Sequence, residues 1–437
     1  MAPPMVLLDR EVELCDEEAG ICEGPIRSSW GGLPARRSAK GQEKLSDAVA
    51  EYLQTFKAQP LVADLPELSS LNIRPPKSAP VPPTSGLESG RISSADKHLV
   101  ALYAGGYRPG YSLPGSYLIY DASKDSISAI PCIPPDTCRT RAMGYQSAVV
   151  MCGATGEGGY LLAELVWVCP QDSQAALWLW ESSAKQWVVK LRDLPLPPGT
   201  TAFNFSVHSC FSFGGSFLCW VDLHRGMLLC DLRKDCNFSF IELPQGPPNY
   251  DASDYPHGPC AEEFRSVACV HGSVKFLAFN TFVEREPGET FGLAVWTLSP
   301  DHSVWSRSYK CSVGDIWANA NYQSAGLGQL APSFPVLSIH QDGVVYLVVN
   351  DTSVVGRRLV FKAQYLLRVD MGNNNDVQVY QQKTTRIYSQ LFASEFSAHR
   401  RQEHPVLLPP PIIVSFAYYC HFIYICSLSL NMLSFAG

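Results

Sequence analysis

The chain has 437 residues, 46% of them apolar and 17% charged, and a net charge of -7. That is ample material for a large buried core and too little charge for a disordered, solvating chain. The acidic balance excludes a general binder of nucleic-acid phosphate, which needs a basic face, and the pairs Arg357-Arg358 and Arg400-Arg401 read as solvated surface.

The opening MAPPMVLLDREVELCDEEAG places acids directly after a short apolar run, unlike a secretory signal with its basic start and long apolar centre. The expected location is therefore cytoplasmic or nuclear, with the 15 cysteines as free thiols and the sequons at Asn204, Asn237 and Asn350 unused. No Cys-x-x-Cys pair occurs, so neither structural zinc nor any other cofactor is expected. Residues 1–94 form an N-terminal segment. Within it Leu45, Val49, Tyr52, Leu53 and Phe56 give one apolar face to a helix over 42–57, which Pro60 closes. Such a face docks a partner or, more often, packs on its own domain. The stretch 75–91, PPKSAPVPPTSGLESGR, reads as a linker.

From residue 95 the pattern changes to short β runs separated by turns. Four segments share one layout of four runs with a glycine turn after the first: AVVMC, YLLAELVWV, ALWLWE, KQWVVKL; SVHSCFSF, SFLCWVDL, GMLLCD, FSFIELP; RSVACV, SVKFLAF, GLAVWT, SVWSRSY; and PVLSIH, VVYLVV, QYLLRVD, DVQVYQQ. An incomplete earlier copy, SYLIYD and SISAIP, lies at 116–131. The third runs carry Tyr120, Trp180, Cys230, Trp296 and Val369 at intervals of 60, 50, 66 and 73 residues. Four strands per repeat with loop insertions are the mark of propeller blades, each of which has two apolar faces to cover. The expected fold is all-β: a propeller-like array of about five to six four-stranded antiparallel blades over 95–398, with a short N-terminal helix. Two stacked sandwiches would also supply many short strands.

The residues Trp220-Val221-Asp222, Gly226, Leu229-Cys230-Asp231 and Glu242-Leu243-Pro244 resemble the core of the plant family called domain of unknown function 1618. Arg265, Val267, Val270, Gly272, Val274-Lys275-Phe276, Trp296 and Trp305 look like its next signature, and YLIYDASKDSISAIP resembles its N-terminal region. The resemblance extends over about 95 to 385. It implies a binding propeller related to the domains that follow F-box segments in plant ligase receptors, and it carries over no activity. Read from the residues alone, Trp220, Asp222, Gly226 and Asp231 are architecture: strand alternation, a turn glycine and an aspartate that bonds turn amides.

Phosphate-loop, serine-hydrolase and zinc-protease signatures are absent, so no enzyme is expected. Asp222 and His224 could orient acid and base, but Cys219, Cys230 and Ser216 read more simply as small strand residues than as nucleophiles. The leading expectation is a protein-interaction module. Its contact loops would be 245–263 and 311–334, with Tyr250, Tyr255, Trp317 and Tyr322 as anchors or, equally, as residues packed onto the domain. A glycan-binding or glycan-cleaving propeller is the alternative. It would bring Asp222, Asp231 and Asp370 together in an open pocket, whereas finding them in separate turns would count against it. In the tail, 399–437, the uncharged run 412–430 is long enough to cross about 28 Å as a helix, so a membrane anchor is a third reading. The tail is expected to lie outside the core.

Overall fold

The computed structural model describes residues 3–14, 49–75, 89–105, 115–134, 139–144, 146–153, 158–169, 171, 173–244, 260–280, 291–355, 358–382 and 391–400. They form an all-β, propeller-like array of five antiparallel sheets of blade type, with a few short helices. The described residues divide into two compact units, one running to Leu243 and resuming at Phe392, the other running from Pro244 to Leu391.

In the first unit, β1 (Val6–Asp9) and β2 (Glu11–Glu13) precede a helix at 49–54, here α1, and a small hairpin of β3 (Lys57–Leu61) and β4 (Ser70–Arg74). The first blade is β5 (Ser89–Asp96), β6 (Leu99–Gly105), β7 (Gly115–Asp121) and β8 (Ser126–Ile130), with β2 added to the edge of β5. The second blade comprises β9 (Arg139–Ala142), β10 (Ala148–Cys152), β11 (Tyr160–Cys169), β12 (Gln174–Glu181) and β13 (Gln186–Asp193); β9 and β10 both pair with β11. The third blade is β14 (Ser209–Phe213), β15 (Phe217–Asp222), β16 (Gly226–Asp231) and β17 (Asn237–Glu242). One apolar layer, including Tyr103, Tyr117, Leu162 and Trp178, fills the space between the first two blades, and another, including Leu177, Leu218, Trp220 and Phe238, fills that between the second and third. The second blade thus has an apolar layer on each face, which is why β10, β11 and β12 read as continuous apolar runs.

The first strands of these blades are different. β5, β10 and β14 lie against one another, and short polar side chains bond across them. Ser94 Oγ donates to Ala148 O at 2.8 Å and accepts from Val150 N at 2.9 Å, and Ser212 Oγ donates to Val150 O at 2.8 Å. This explains a difference from the expectation: the copy at 116–131 is not incomplete. Its first two strands are β5 and β6, and β5 begins at Ser89, inside the stretch read as linker. SGRISSAD lacks apolar alternation because its serines serve neighbouring backbones.

Nor is the N-terminal segment separate from the blades. Val6 and Leu8 are fully buried with Ile92, Leu102 and Tyr120, and Arg10 Nη1 donates to Ile92 O and Ser93 O, both at 3.1 Å. α1 buries Val49 and Leu53 in the same layer, so its apolar face packs on its own unit. The helix ends at 54 instead of 57, because Lys57 onwards pairs as β3 and places Pro60, which has no N–H to donate, in a two-stranded edge sheet. β26 (Leu391–Ser394) returns to pair with β1, and Phe396 is buried near Tyr120.

The second unit begins with α2 (Ala261–Phe264) and holds two blades. The first is β18 (Arg265–Val270), β19 (Ser273–Phe279), β20 (Gly292–Leu298) and β21 (Trp305–Ser312); after α3 (Val313–Ala318) and α4 (Ala320–Ser324) follow β22 (Ser333–Leu337), β23 (Val344–Val355), β24 (Arg358–Asp370) and β25 (Asp376–Gln381). Their shared layer includes Leu277, Val295, Val345 and Leu367. The β18–β19 hairpin closes on two residues, His271 at φ 48° and Gly272 at φ 78°, the positive pair that a strand-matching two-residue turn requires.

Candidate functional site

The sequence-predicted residues fall into place as architecture. Trp220 is fully buried on β15, and its Nε1 donates to Ser147 O at 2.8 Å. The Ser147 hydroxyl in turn donates to the buried Glu164, which also accepts from the Tyr103 hydroxyl. Asp222 accepts from Ser206 N at 2.9 Å, His224 N at 2.9 Å and Arg225 Nη1 at 3.0 Å, which fixes the β15–β16 turn. Gly226 is required by close approach: a methyl there would strike the Phe240 ring and stand 2.6 Å from Ile241 O. Asp231 caps the next turn, accepting from Arg233 N at 3.0 Å and from its guanidinium, which holds the carboxyl below the usual carboxylate range.

In the second unit Arg265 is buried with its guanidinium 5.9 Å from the centre of the Phe276 ring, and Phe276 packs on Trp296 at 5.5 Å. Lys275 is buried and paired with Asp342. Asp370 meets Arg368 at 3.3 Å, and its carbonyl accepts from Asn373 N in the β24–β25 turn. Asp222, Asp231 and Asp370 are thus each committed to a separate turn.

The Cys260 thiol donates to Glu262 Oε2 at 2.8 Å, and burial with that carboxylate pushes the thiol up, away from a nucleophile's range. His224 meets Asp222 through its backbone N–H, and the His208 ring lies 3.8 Å from the same carboxylate. Cys152 sulfur stands 3.8 and 3.9 Å from the two nitrogens of His98, whose Nε2 is 3.9 Å from Asp121 Oδ1; burial raises the Cys152 thiol, and Asp121 is bonded to Ser123 and Lys124.

The loop aromatics need a correction. Tyr322 is 1% exposed and its hydroxyl donates to Leu330 O, while Trp317 Nε1 donates to the same carbonyl at 2.9 Å. Both pack on the core of their unit, because the 311–334 segment folds as α3 and α4 and needs internal anchors. Tyr250, Tyr255 and the run 412–430 lie outside the described residues. Among the described residues no helix is long and apolar enough to cross a membrane, and no cluster of metal-ligating side chains occurs.

A feature that the motifs did not point to lies on β13. Among the described residues seven large apolar side chains are exposed, and three of them, Val188 (46%), Val189 (41%) and Leu191 (50%), belong to this one strand. β13 pairs with β12 from Gln186↔Glu181 to Asp193↔Gln174 and ends the path of its sheet, so among the described residues its outer backbone edge has no partner strand. One of its two cations covers part of that edge, since Arg192 Nη1 donates to Leu191 O at 2.9 Å. Lys190 Nζ is 2.7 Å from Asp235 Oδ1, and Arg192 Nη2 donates to Asp235 O at 2.8 Å and Oδ2 at 3.1 Å, so both are drawn toward the β16–β17 turn. The Lys190 hydrogen bond holds the Asp235 carboxyl below its ordinary range. Phe203, 65% exposed, lies with its ring tilted at 5.1 Å from that of Trp167 in the same blade as β13. The signal in the sequence was the run Trp187-Val188-Val189 in a fourth strand, where alternation with polar residues would be expected of an outer edge.

Residues 220–346 match the family described as a protein of unknown function (DUF1618). The match is shorter than the resemblance read from the sequence and leaves out YLIYDASKDSISAIP, but it spans the motif residues from Trp220 to Trp305 and the loop aromatics from Tyr250 to Tyr322. No curated protein matches the chain. Among solved structures it is similar to a GH43 β-1,3-galactosidase, at 8% identity over 67% of this chain and 93% of that one, with a TM-score of 0.32. It is also similar to a putative 6-phosphogluconolactonase from Bacteroides uniformis, at 10% identity over 68% and 82%, TM-score 0.31. A third is fructan 1-exohydrolase IIa from Cichorium intybus, at 12% identity over 69% and 59%, TM-score 0.29. At these scores the likeness extends to neither substrate nor mechanism.

Proposed function

We propose that this chain is a non-enzymatic protein-recognition module that takes up an extended segment of a partner along the free edge of β13. The observation that carries the reading is the coincidence on one strand of an open backbone edge and three exposed aliphatic side chains. Edge strands are ordinarily blunted by charge; here both cations are held by Asp235, and Arg192 covers the single carbonyl of Leu191. A strand added at such an edge gains main-chain hydrogen bonds, and alternate side chains gain apolar contacts. The resemblance to plant propellers that follow F-box segments agrees with a recognition role inside the cell. The glycan-cleaving alternative would need carboxylates other than Asp222 and Asp231, which bond turn amides, and Asp370, which is paired with Arg368 on its own strand.

The test is capture from native tissue with the whole protein and with Val189→Lys and Leu191→Lys. These positions are exposed, so each change should alter stability by no more than about 0.5 kcal/mol. A specific partner should be lost from both variants, and its binding should slow amide exchange along 186–193. An unchanged capture pattern, or a bound partner that leaves those amides unprotected, would overturn the proposal.

A further inference from the structure

β13 turns every second residue of its backbone outward. Leu194 N donates to Ser173 O at 2.8 Å, so in the register with β12 the even-numbered residues of β13 spend their N–H and C=O groups on that strand. Trp187, Val189 and Leu191 therefore present theirs to the free edge, and the Leu191 carbonyl, bonded by Arg192 Nη1, keeps a second lone pair. The side chains of these three residues share one face of the sheet, while Val188, Lys190 and Arg192 share the other. Flanking them are two exposed charges of opposite sign, Lys185 in the turn before β13 and Asp193 at its end. Neither takes part in an ion pair among the described residues.

Given the reading of β13 as a recognition edge, on which this step rests, we propose that the edge is also regulated by a second copy of this chain. The two β13 strands pair antiparallel around a two-fold axis at Val189, and the dimer covers the edge until a partner segment displaces it. That axis sets Trp187 opposite Leu191 of the second copy, Val189 opposite its own equivalent, and Lys185 opposite Asp193 of the second copy. One face of the joint is then apolar, with an ion pair at each end. On the other face Lys190 lies opposite Val188 and Arg192 opposite Gln186, so no like charges meet, and the strands overlap from 186 to 192. Other registers fit less well. An axis at Lys190 sets that residue against its own equivalent, and one at Leu191 sets Lys190 against Arg192; like charges directly opposite destabilise a strand pair. An axis at Val188 shortens the overlap to 186–190. A two-fold joint needs one patch complementary to itself, and β13 meets that need best around Val189.

The experiment is sedimentation of the whole purified protein with no partner present. A dimer should form as concentration rises, and exchange at the Val189 and Leu191 amides should slow with it. The Val188 and Lys190 amides, bonded to β12, should exchange slowly throughout. Val189→Lys, which sets two ammonium groups against each other, should abolish the dimer. Lys185→Asp or Asp193→Lys alone should weaken it about tenfold, because each creates two like-charge pairs, and the two changes together should restore it to within about threefold. Lys185 lies outside the strand, so Lys185→Asp should still capture the partner from tissue. A parent that stays monomeric at about 100 μM, a dimer unmoved by Val189→Lys, or a double exchange that fails to restore pairing would overturn the self-pairing and leave partner capture standing. A dimer that behaves as described, beside capture unchanged by Val189→Lys, would uphold the pairing and sink the recognition reading.

Discussion

Trp220 and Asp231 show how single side chains fix the geometry of a blade. The Trp220 indole N–H satisfies the Ser147 carbonyl within the packed layer between two blades. Trp220→Phe keeps most of the apolar contact and leaves that carbonyl unpaired, so it should cost about 1–3 kcal/mol, read from chemical denaturation. Asp231 acts through charge. Its folded carboxyl titrates below the unfolded value, chiefly because of the Arg233 hydrogen bond. Its contribution is therefore fully present above the ordinary carboxylate range and disappears as pH falls through the lowered folded value. Asp231→Asn should be less stable than the parent at neutral pH, and the gap in Tm should close in acid; a gap independent of pH would show that charge is not what the cap supplies. The same device recurs at Asp121, which accepts from Ser123 and Lys124 at the end of the third strand of its own blade.

At the level of the element, the outer strands β8 and β13 make a contrast. The side-chain amide of Gln54, on α1, donates to Ile127 O and accepts from Ala129 N, both at 2.9 Å, and so occupies the free edge of β8. On β13 only the carbonyl of Leu191 is shown covered, by Arg192 Nη1, and no strand pairs with its outer edge among the described residues. Gln54→Ala should speed exchange at the Ala129 amide and lower stability by about 1–3 kcal/mol, because two edge bonds are lost; unchanged exchange would mean that Gln54 merely touches the strand. The blades were legible from the chain because their third strands are apolar on both sides, and Tyr120, Trp180, Cys230, Trp296 and Val369 all lie on such strands. β5 was not legible: Ser93 and Ser94 spend their hydroxyls on β10, and no periodicity reports that. The β13 surface was half legible. Its apolar run could be read, but its exposure depends on Lys190 and Arg192 turning to a turn some 45 residues away. The aromatics of 311–334 misled for the opposite reason, since short helices in an insertion require buried anchors of their own.

On the scale of the whole molecule, the first unit is assembled from both ends of the described chain. β26 pairs with β1, Ser397 Oγ donates to Pro3 O at 2.9 Å, and the Arg10 guanidinium lies 4.5 Å from the centre of the Phe392 ring. A chain ending at residue 405 keeps all of these contacts and should remain soluble, whereas one ending at 390 strips β1 of its partner strand and removes Phe396 from the core. Thermal unfolding of the two truncations should show a clear loss of Tm only for the shorter, and equal values would mean that this clasp contributes nothing. The order of the clasp has a consequence for synthesis. The ribosome makes the apolar β1 first and its partner β26 only after every blade of the second unit has been translated. During that interval Val6, Leu7 and Leu8 lack β26 and have only the bridge to Ser69, so the nascent chain should be a client of holding chaperones until that strand emerges.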